Sequence, residues 1–370
     1  MKFTITRETL LKPLQLVAGV VEKRQTLPVL SNVLITVENN EITLTGTDLE
    51  VEMACKIPLD DKYKEGAITT SARKLLDIVR SLPEGANIKI SEEKQKVTVK
   101  SGSSRFTLSC LPATDFPNVE DEVKALNITL AQKALKRLID RTAFSMAQQD
   151  VRYYLNGMLL EVTPTHLRAV STDGHRLAMC SLENNNAEVG TMQVIIPRKG
   201  VIELQRLLQD TDDEVVVSIG NNQLRATLND FIFTSKLVDG KFPDIGRVMP
   251  GFDKPVIFTA NKSDILAALA SGGAAARDSK YGGVKMTVGA IGGDVVFSSS
   301  SADGSESTAA CNVEGATQFT SGLNSGYLAD AINFVRGDTV TFRCESEQSA
   351  MLITGDDKEK RKAVVMPMRL

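Results

Sequence analysis

The chain of 370 residues has only two histidines, too few for a histidine-built metal site. Its five cysteines, at 55, 110, 180, 311 and 344, are odd in number and never closely spaced. That spacing excludes a zinc ligand set and a disulfide framework, and fits a reducing, cytoplasmic setting. No apolar run approaches the length that crosses a bilayer, so no membrane partner is expected. Met1-Lys2-Phe3-Thr4-Ile5 alternates like a strand and lacks the apolar centre of a signal peptide. Neither G-x-x-x-x-G-K-[ST] nor G-x-G-x-x-G occurs, and Gly272-Gly273 and Gly282-Gly283 read as loops. No metal and no cofactor is expected.

What is present is repetition. Thr47-Asp48 returns 125 residues later as Thr172-Asp173, and Ser301-Ala302-Asp303-Gly304 echoes Ser171-Thr172-Asp173-Gly174 after another 130. Ser109-x-Leu111-x4-Phe116-Pro117 has the spacing of Ser235-x-Leu237-x4-Phe242-Pro243. Each repeat opens on a strand that runs into a helical pattern: Leu10, Leu11, Leu14, Val17; Leu135, Leu138, Ile139; Ile265, Leu266, Leu269. Thr6 and Asn261 stand where helix N-caps belong. A second helix is expected at about 72–82, 197–208 and 325–335, with short alternating strands between. Three α+β domains follow, at 1–125, 126–254 and 255–370.

A net charge of −3 and a pI near 5.7 speak against nucleic acid until the charges are placed. In the helix at 131–142, Leu135, Leu138, Ile139 and Thr142 form one stripe, with Lys133, Lys136 and Arg137 opposite. At 72–82, Arg73, Lys74 and Arg80 outnumber Asp77. At 197–208, Arg198, Lys199 and Arg206 outnumber Glu203. A solvated face explains one such helix. Recurrence in two repeats points to phosphate contact without base reading, weak and salt-sensitive.

Ser171-Thr172-Asp173-Gly174-His175-Arg176 places a hydroxyl, a carboxylate and an imidazole within six residues. Neighbours in sequence are not a triad, and no G-x-S-x-G elbow surrounds them. Thr-Asp recurs in repeat one without histidine, so the shared part reads as a turn in which the Asp carboxylate accepts from backbone amides. No catalytic residue is assigned. The apolar ending Val364 to Leu370 reads as a last strand or, being methionine-rich, as an adaptable docking surface.

Long continuous stretches resemble one family. They are Ser145-Met146-Ala147-x-Gln149 through Leu159, Thr172-Asp173-Gly174-His175-Arg176-Leu177-Ala178, Pro197 to Leu204, Asp230 to Gly240, and Val364 to Leu370. All are similar to the bacterial DNA polymerase III β subunits, the sliding clamps. The resemblance implies three clamp domains per chain and two chains closed head-to-tail into a six-domain ring, helices inside and strands outside. It implies a non-enzymatic processivity factor in DNA replication that encircles double-stranded DNA. Arg24, Arg73, Gln149, Tyr153 and Tyr154 would contact DNA, with Arg198 and Lys199 nearby. A groove for short peptide motifs would use Leu155, Thr172, Gly174, His175, Arg176, Leu177, Pro243, Arg247, Val248, Asn324, Tyr327, Met366, Pro367, Met368, Arg369 and Leu370. Its partners would be the clamp loader, replicative and other DNA polymerases, and mismatch-repair and ligase-type proteins. The competing expectation is a three-domain peptide-binding scaffold that ignores DNA.

Repeat three departs from the family pattern. Its mid-repeat helix sets Asp330 and Asn333 opposite Leu328, Ile332 and Val335, with Arg336 the only basic residue. Residues 268–276 are small, and 298–310 is serine-rich with Asp303 and Glu306 its only acids. In repeat one, Arg105, Phe106 and Leu108 lie on the opposing edge strand. The homodimer contact is therefore expected to rest on backbone strand pairing more than on ion pairs.

Overall fold

The computed structural model describes the chain outside residues 23–26, 60–61, 118–125, 185–189, 252, 254, 277–281, 290–292, 316–317 and 358–359. The repeat boundaries at 125 and 254 lie outside the described residues. Seven α-helices are described: α1 Arg7–Val20, α2 Ala72–Ser81, α3 Gln132–Thr142, α4 Arg198–Leu207, α5 Ile245–Val248, α6 Lys262–Gly272 and α7 Ser325–Phe334.

Side-chain caps set where several helices begin. The Thr6 hydroxyl accepts from the Thr9 amide, and Asn261 Oδ1 accepts from the amides of Ser263 at 2.9 Å and Asp264 at 3.3 Å. Ser71 and Asn324 do the same for α2 and α7. The pairs α1–α2, α3–α4 and α6–α7 are then joined by one recurring device. The first residue of the leading helix reaches the end of the following one. Arg7 donates to the carbonyls of Val79 and Arg80, and Lys262 Nζ donates to those of Asn333 at 3.1 Å and Val335 at 2.9 Å. Gln132 instead accepts from the Gln209 amide at 3.1 Å. Backbone amides of the same three residues bond Ala86, Asp213 and Asp338 at 2.8–2.9 Å. These contacts satisfy carbonyls or amides that the helix ends leave open.

Two compact units arise, residues 1–136 with 199–237, and 137–198 with 238–370. The first unit holds an antiparallel sheet of twelve strands, in which Val51–Pro58 of repeat one pairs with Phe231–Lys236 of repeat two. The second unit holds an eight-stranded sheet, in which Arg176–Glu183 pairs with Arg361–Val365, and a separate four-stranded sheet. Repeat two therefore lends half its strands to each large sheet. Among the described residues every strand pair is antiparallel, and alternate residues such as Ile42, Leu44, Val97, Val99, Val215 and Val217 are fully buried.

The Thr-Asp turn holds as the sequence suggests. Asp48 Oδ1 accepts from the amides of Glu50 and Val51 at 2.9 and 2.7 Å; Asp173 Oδ1 accepts from those of His175 and Arg176 at 2.9 and 3.0 Å. Asp303 Oδ1 accepts from the Ser305 amide at 2.9 Å. The residue after each aspartate, Leu49, Gly174 and Gly304, is left-handed, with φ of 77°, 87° and 84°. In repeat three the serines and small residues have a packing role. The hydroxyls of Ser299 and Ser307 both donate to the Gly272 carbonyl at 2.9 Å, closing the end of α6. A Cβ at Gly272 would strike the Phe297 carbonyl, so α6 can lie this close to its strand only with glycine there.

Candidate functional site

In the second unit, a groove of about 460 Å³ is floored by Leu155, Leu177, Val364 and Met366 and walled by Pro243, Val248, Pro250 and Ala350. Beneath it, Leu159, Val170, Leu177, Met179, Ile195, Phe242, Leu352 and Val364 form one packed cluster. The groove is thus a concave extension of a core, not a gap between loops. Three arginines, 152, 176 and 247, stand at its rim. Arg152 donates through Nε and Nη2 to Asp150 at 3.0 and 2.9 Å and through Nη2 to the Asp173 carbonyl at 3.2 Å. The Arg152 guanidinium and amide hold the Asp150 carboxyl at about 2, well below the usual carboxylate range.

Arg176 organises the wall. Its Nε donates to Asp173 Oδ2 at 3.0 Å, Nη1 to Asp330 Oδ2 at 2.5 Å and Nη2 to the Phe144 carbonyl at 2.8 Å. The guanidinium also lies 4.3 Å from the Tyr327 ring centroid and 5.4 Å from that of Phe144. On its other side a polar cavity of about 470 Å³ is lined by Gln149, Asp150, Asp173, His175, Arg198 and Tyr327, among others. One side chain therefore faces both spaces.

Of the expected groove residues, Leu155, Thr172, Gly174, Arg176, Leu177, Pro243, Arg247, Val248 and Met366 line the groove. His175 and Tyr327 line the polar cavity, their rings stacked 6.5 Å apart. Asn324 caps α7. The tail parts from the groove after Met366, whose amide donates to the His175 carbonyl at 2.8 Å; two residues on, the Met368 amide donates to Gly322. Met368, Arg369 and Leu370 line a third cavity beside Gly283, Lys285 and Ser298 to Ser300, and Pro367 connects the two sites. Leu370 fits because Gly283 and Gly322 have no Cβ to meet it. Arg152, Tyr154, Pro250 and Ala350 line the groove without having been expected there, and Val364 joins it from the ending read as a docking surface. Arg152 lies inside the Gln149-to-Leu159 stretch that carries the family resemblance; Pro250 and Ala350 carry no local signal.

The basic positions divide. Arg24 lies outside the described residues. Arg73, Lys74 and Arg80 are exposed on α2, as is Arg137 on α3. Tyr153 is 57% exposed, whereas Tyr154 turns into the groove lining. Gln149 sits in the polar cavity with φ of 55°, and Arg198 donates to the Met146 carbonyl at 3.2 Å. Three lysines placed on basic faces have internal partners. Lys133 pairs with Asp212 at 2.5 Å, Lys136 donates to the Gln205 carbonyl at 3.3 Å, and Lys199 pairs with Asp48 and with Glu22 at 2.9 Å.

Beside Lys199, buried Glu203 bonds Arg206 at 2.7 Å, and burial pushes its carboxyl above the ordinary value despite that partner. A raised carboxyl favours folding below the unfolded-state pKa and loses that contribution as pH rises through the folded one. Glu203→Gln is therefore expected to raise the melting temperature by about 2 °C at pH 7. The gain should vanish near pH 4, where the wild-type carboxyl is itself protonated; calorimetry at the two pH values checks both.

Two family models match the sequence: the DNA polymerase III beta subunit N-terminal domain, over residues 1–120, and central domain, over 129–244. A beta sliding clamp of Pseudomonas aeruginosa is 50% identical, with 100% of both chains covered. The Escherichia coli beta sliding clamp is 44% identical over the same full coverage. The chain belongs to the beta sliding clamp family. A crystal structure of the Pseudomonas aeruginosa DNA polymerase III subunit beta superposes on the clamp with a TM-score of 0.95, at 48% identity and full coverage of both chains. Another from that organism, a sliding clamp bound to griselimycin, gives 0.93, also at 48% identity and full coverage of both chains. As a clamp, the protein is a non-catalytic processivity subunit that holds a DNA polymerase on its template. The Asp173–His175 pair accordingly belongs to a turn and a cavity wall, not to a hydrolase.

Proposed function

We propose that the clamp acts as a closed head-to-tail homodimer of six repeats around double-stranded DNA, in the cytoplasm. Its groove takes short apolar motifs from the clamp loader, from replicative and other polymerases, and from mismatch-repair and ligase-type proteins. The three repeats, 1–125, 126–254 and 255–370, are its domains. Arg73 and neighbouring exposed cations face phosphate, along with Tyr153, Gln149 and Arg198, and retention comes from ring closure rather than from tight contact. Weak contacts allow sliding, and a tethered polymerase rebinds at high effective concentration.

The observation that carries this reading is an unfilled place in the strand order. The strands that follow the Asp48 and Asp173 turns each pair with the last strand of the next repeat, Val51 opposite Ser235 and Arg176 opposite Val365. Among the described residues, Glu306–Asn312, which follows the Asp303 turn, pairs only with Asp294–Ser300 and ends its sheet. Ser104–Pro112 is the repeat-one counterpart of Phe231–Lys236; only its final residues, from Cys110, pair with Gly66–Ser71. Among the described residues nothing pairs with the other edge of its Ser104-to-Ser109 portion, which bears exposed Arg105, half-buried Phe106 and buried Leu108. A second copy supplies the missing partner at each edge.

Clamp loaded onto nicked circular DNA is expected to remain through gel filtration and to be lost once the circle is linearised. Equal loss from both forms would overturn encirclement and favour the peptide scaffold.

A further inference from the structure

The second unit gathers cations where α3 ends, α6 begins and α7 ends. Arg141 occupies the last turn of α3. Lys262 opens α6 and donates to the carbonyls of Asn333 and Val335, immediately before Arg336. The Arg336 carbonyl accepts from the Asp356 amide at 3.1 Å, and Arg361, only 9% exposed, donates through Nε to Asp357 Oδ2 at 3.0 Å. This run of contacts brings Lys262, Arg336 and Arg361 to one place. Arg141 and Arg361 both disfavour the charged form of Lys262, after burial itself, and Arg141 and Arg336 do the same to Arg361. Four cations thus share the site with three carboxylates: Asp338, Asp357 and Asp356, whose side chain lies against Gly337.

Helix ends attract cations, and that accounts for Lys262, which bonds the open carbonyls of α7. The same rule places Arg141 in the last turn of α3 and Arg336 just past α7, and Arg361 is paired with Asp357; it does not supply an anion to the Arg141 guanidinium. Among the described residues, half-buried Arg141 makes no ion pair and no side-chain hydrogen bond. A half-buried guanidinium offers five donors and has lost much of its water, so a neighbouring anion with several acceptor oxygens gains most there. Phosphate has that chemistry, and its charge would relieve the repulsion among the four.

We propose that Arg141, Lys262, Arg336 and Arg361 form a phosphate-binding site, occupied in the working clamp by the DNA backbone. The DNA part rests on the encirclement reading above. The site adds phosphate contact to repeat three, whose paired helices otherwise show only Asp264 and Asp330 as charges besides Lys262. Repeat three therefore meets DNA at the end of its helix pair rather than along a basic face.

The test compares wild-type clamp with Arg141→Ala/Arg336→Ala in two measurements. Binding to a short duplex is followed by anisotropy across a KCl series, where each phosphate contact contributes about −0.9 to the salt slope. The double variant is expected to lose about 1–2 of that slope and several-fold in affinity. Melting temperature is then read in sodium phosphate against sodium chloride at equal ionic strength; phosphate should raise the wild type and not the variant. A phosphate shift with an unchanged duplex slope keeps the site and assigns it to a small free anion. No difference in either measurement overturns the site. A variant that melts lower than wild type in chloride also overturns it, since Arg141 and Arg336 would then be structural cations. If wild-type clamp shows no salt-dependent duplex binding, while phosphate still separates the two proteins, it is the encirclement reading that has failed.

Discussion

Arg176→Ala is expected to melt several degrees below wild type and to bind a polymerase-derived clamp-binding peptide at least about tenfold more weakly. The guanidinium makes three hydrogen bonds, to two carboxylates and a backbone carbonyl, while lying on the Tyr327 ring. Its removal leaves the Phe144 carbonyl and the inner Asp173 oxygen without these donors, at a cost of about 2–4 kcal/mol. Asp330 is half-exposed and finds water, so it contributes little. Peptide binding falls because the same side chain forms groove wall on one side and cavity wall on the other. Arg176→Lys keeps the charge but has one nitrogen for three directions, and should recover little. Thermal melts and peptide anisotropy on the three proteins decide it; an alanine variant that binds peptide as wild type does would remove Arg176 from the groove.

The second large effect concerns the contact between copies. If the Asp303 turn continues the rule of the other two, Glu306 lies opposite Ser109 of the second copy, as Val51 lies opposite Ser235. Phe106 then faces Ala309. Directly opposed residues on antiparallel strands have Cβ atoms about 4.5–5.5 Å apart, close to disulfide reach. Phe106→Cys/Ala309→Cys should therefore convert most of the protein to a covalent dimer under mild oxidation, read on a non-reducing gel. Native Cys110 and Cys311 would face Ser305 and Ser104, so wild-type protein should stay uncrosslinked. Phe106→Cys/Ser307→Cys, two residues out of step, should crosslink far less. A reversed preference would refute the register; absence of any crosslinked dimer at micromolar concentration would refute the strand contact.

Features fixed by near neighbours were legible in the sequence. The helix starts at Thr6 and Asn261 need only a side chain and the amides two or three residues on, and the Thr-Asp turn needs the same. The second helices fell within a residue or two of their expected limits for similar reasons. Charge was harder to read. Lys199 finds Asp48 from 151 residues away, and Lys136 finds a carbonyl 69 residues away. A helical wheel shows which face a lysine occupies and nothing of what a distant turn brings against it. Tyr154 shows the same limit: it lines the groove while its neighbour Tyr153 is 57% exposed, their rings 73° apart, a division that two adjacent tyrosines in the sequence do not announce. Pro250 and Ala350 join the groove only through chain folding.

The clasp that ties each helix pair uses arginine in repeat one, glutamine in repeat two and lysine in repeat three. Its requirement is reach and a polar tip, with no fixed sign of charge. Helix pairing in this protein is thereby uncoupled from electrostatics. The inward charge of any one repeat can drift over generations while its architecture stays constant, and such a protein could retune its grip on DNA without rebuilding itself.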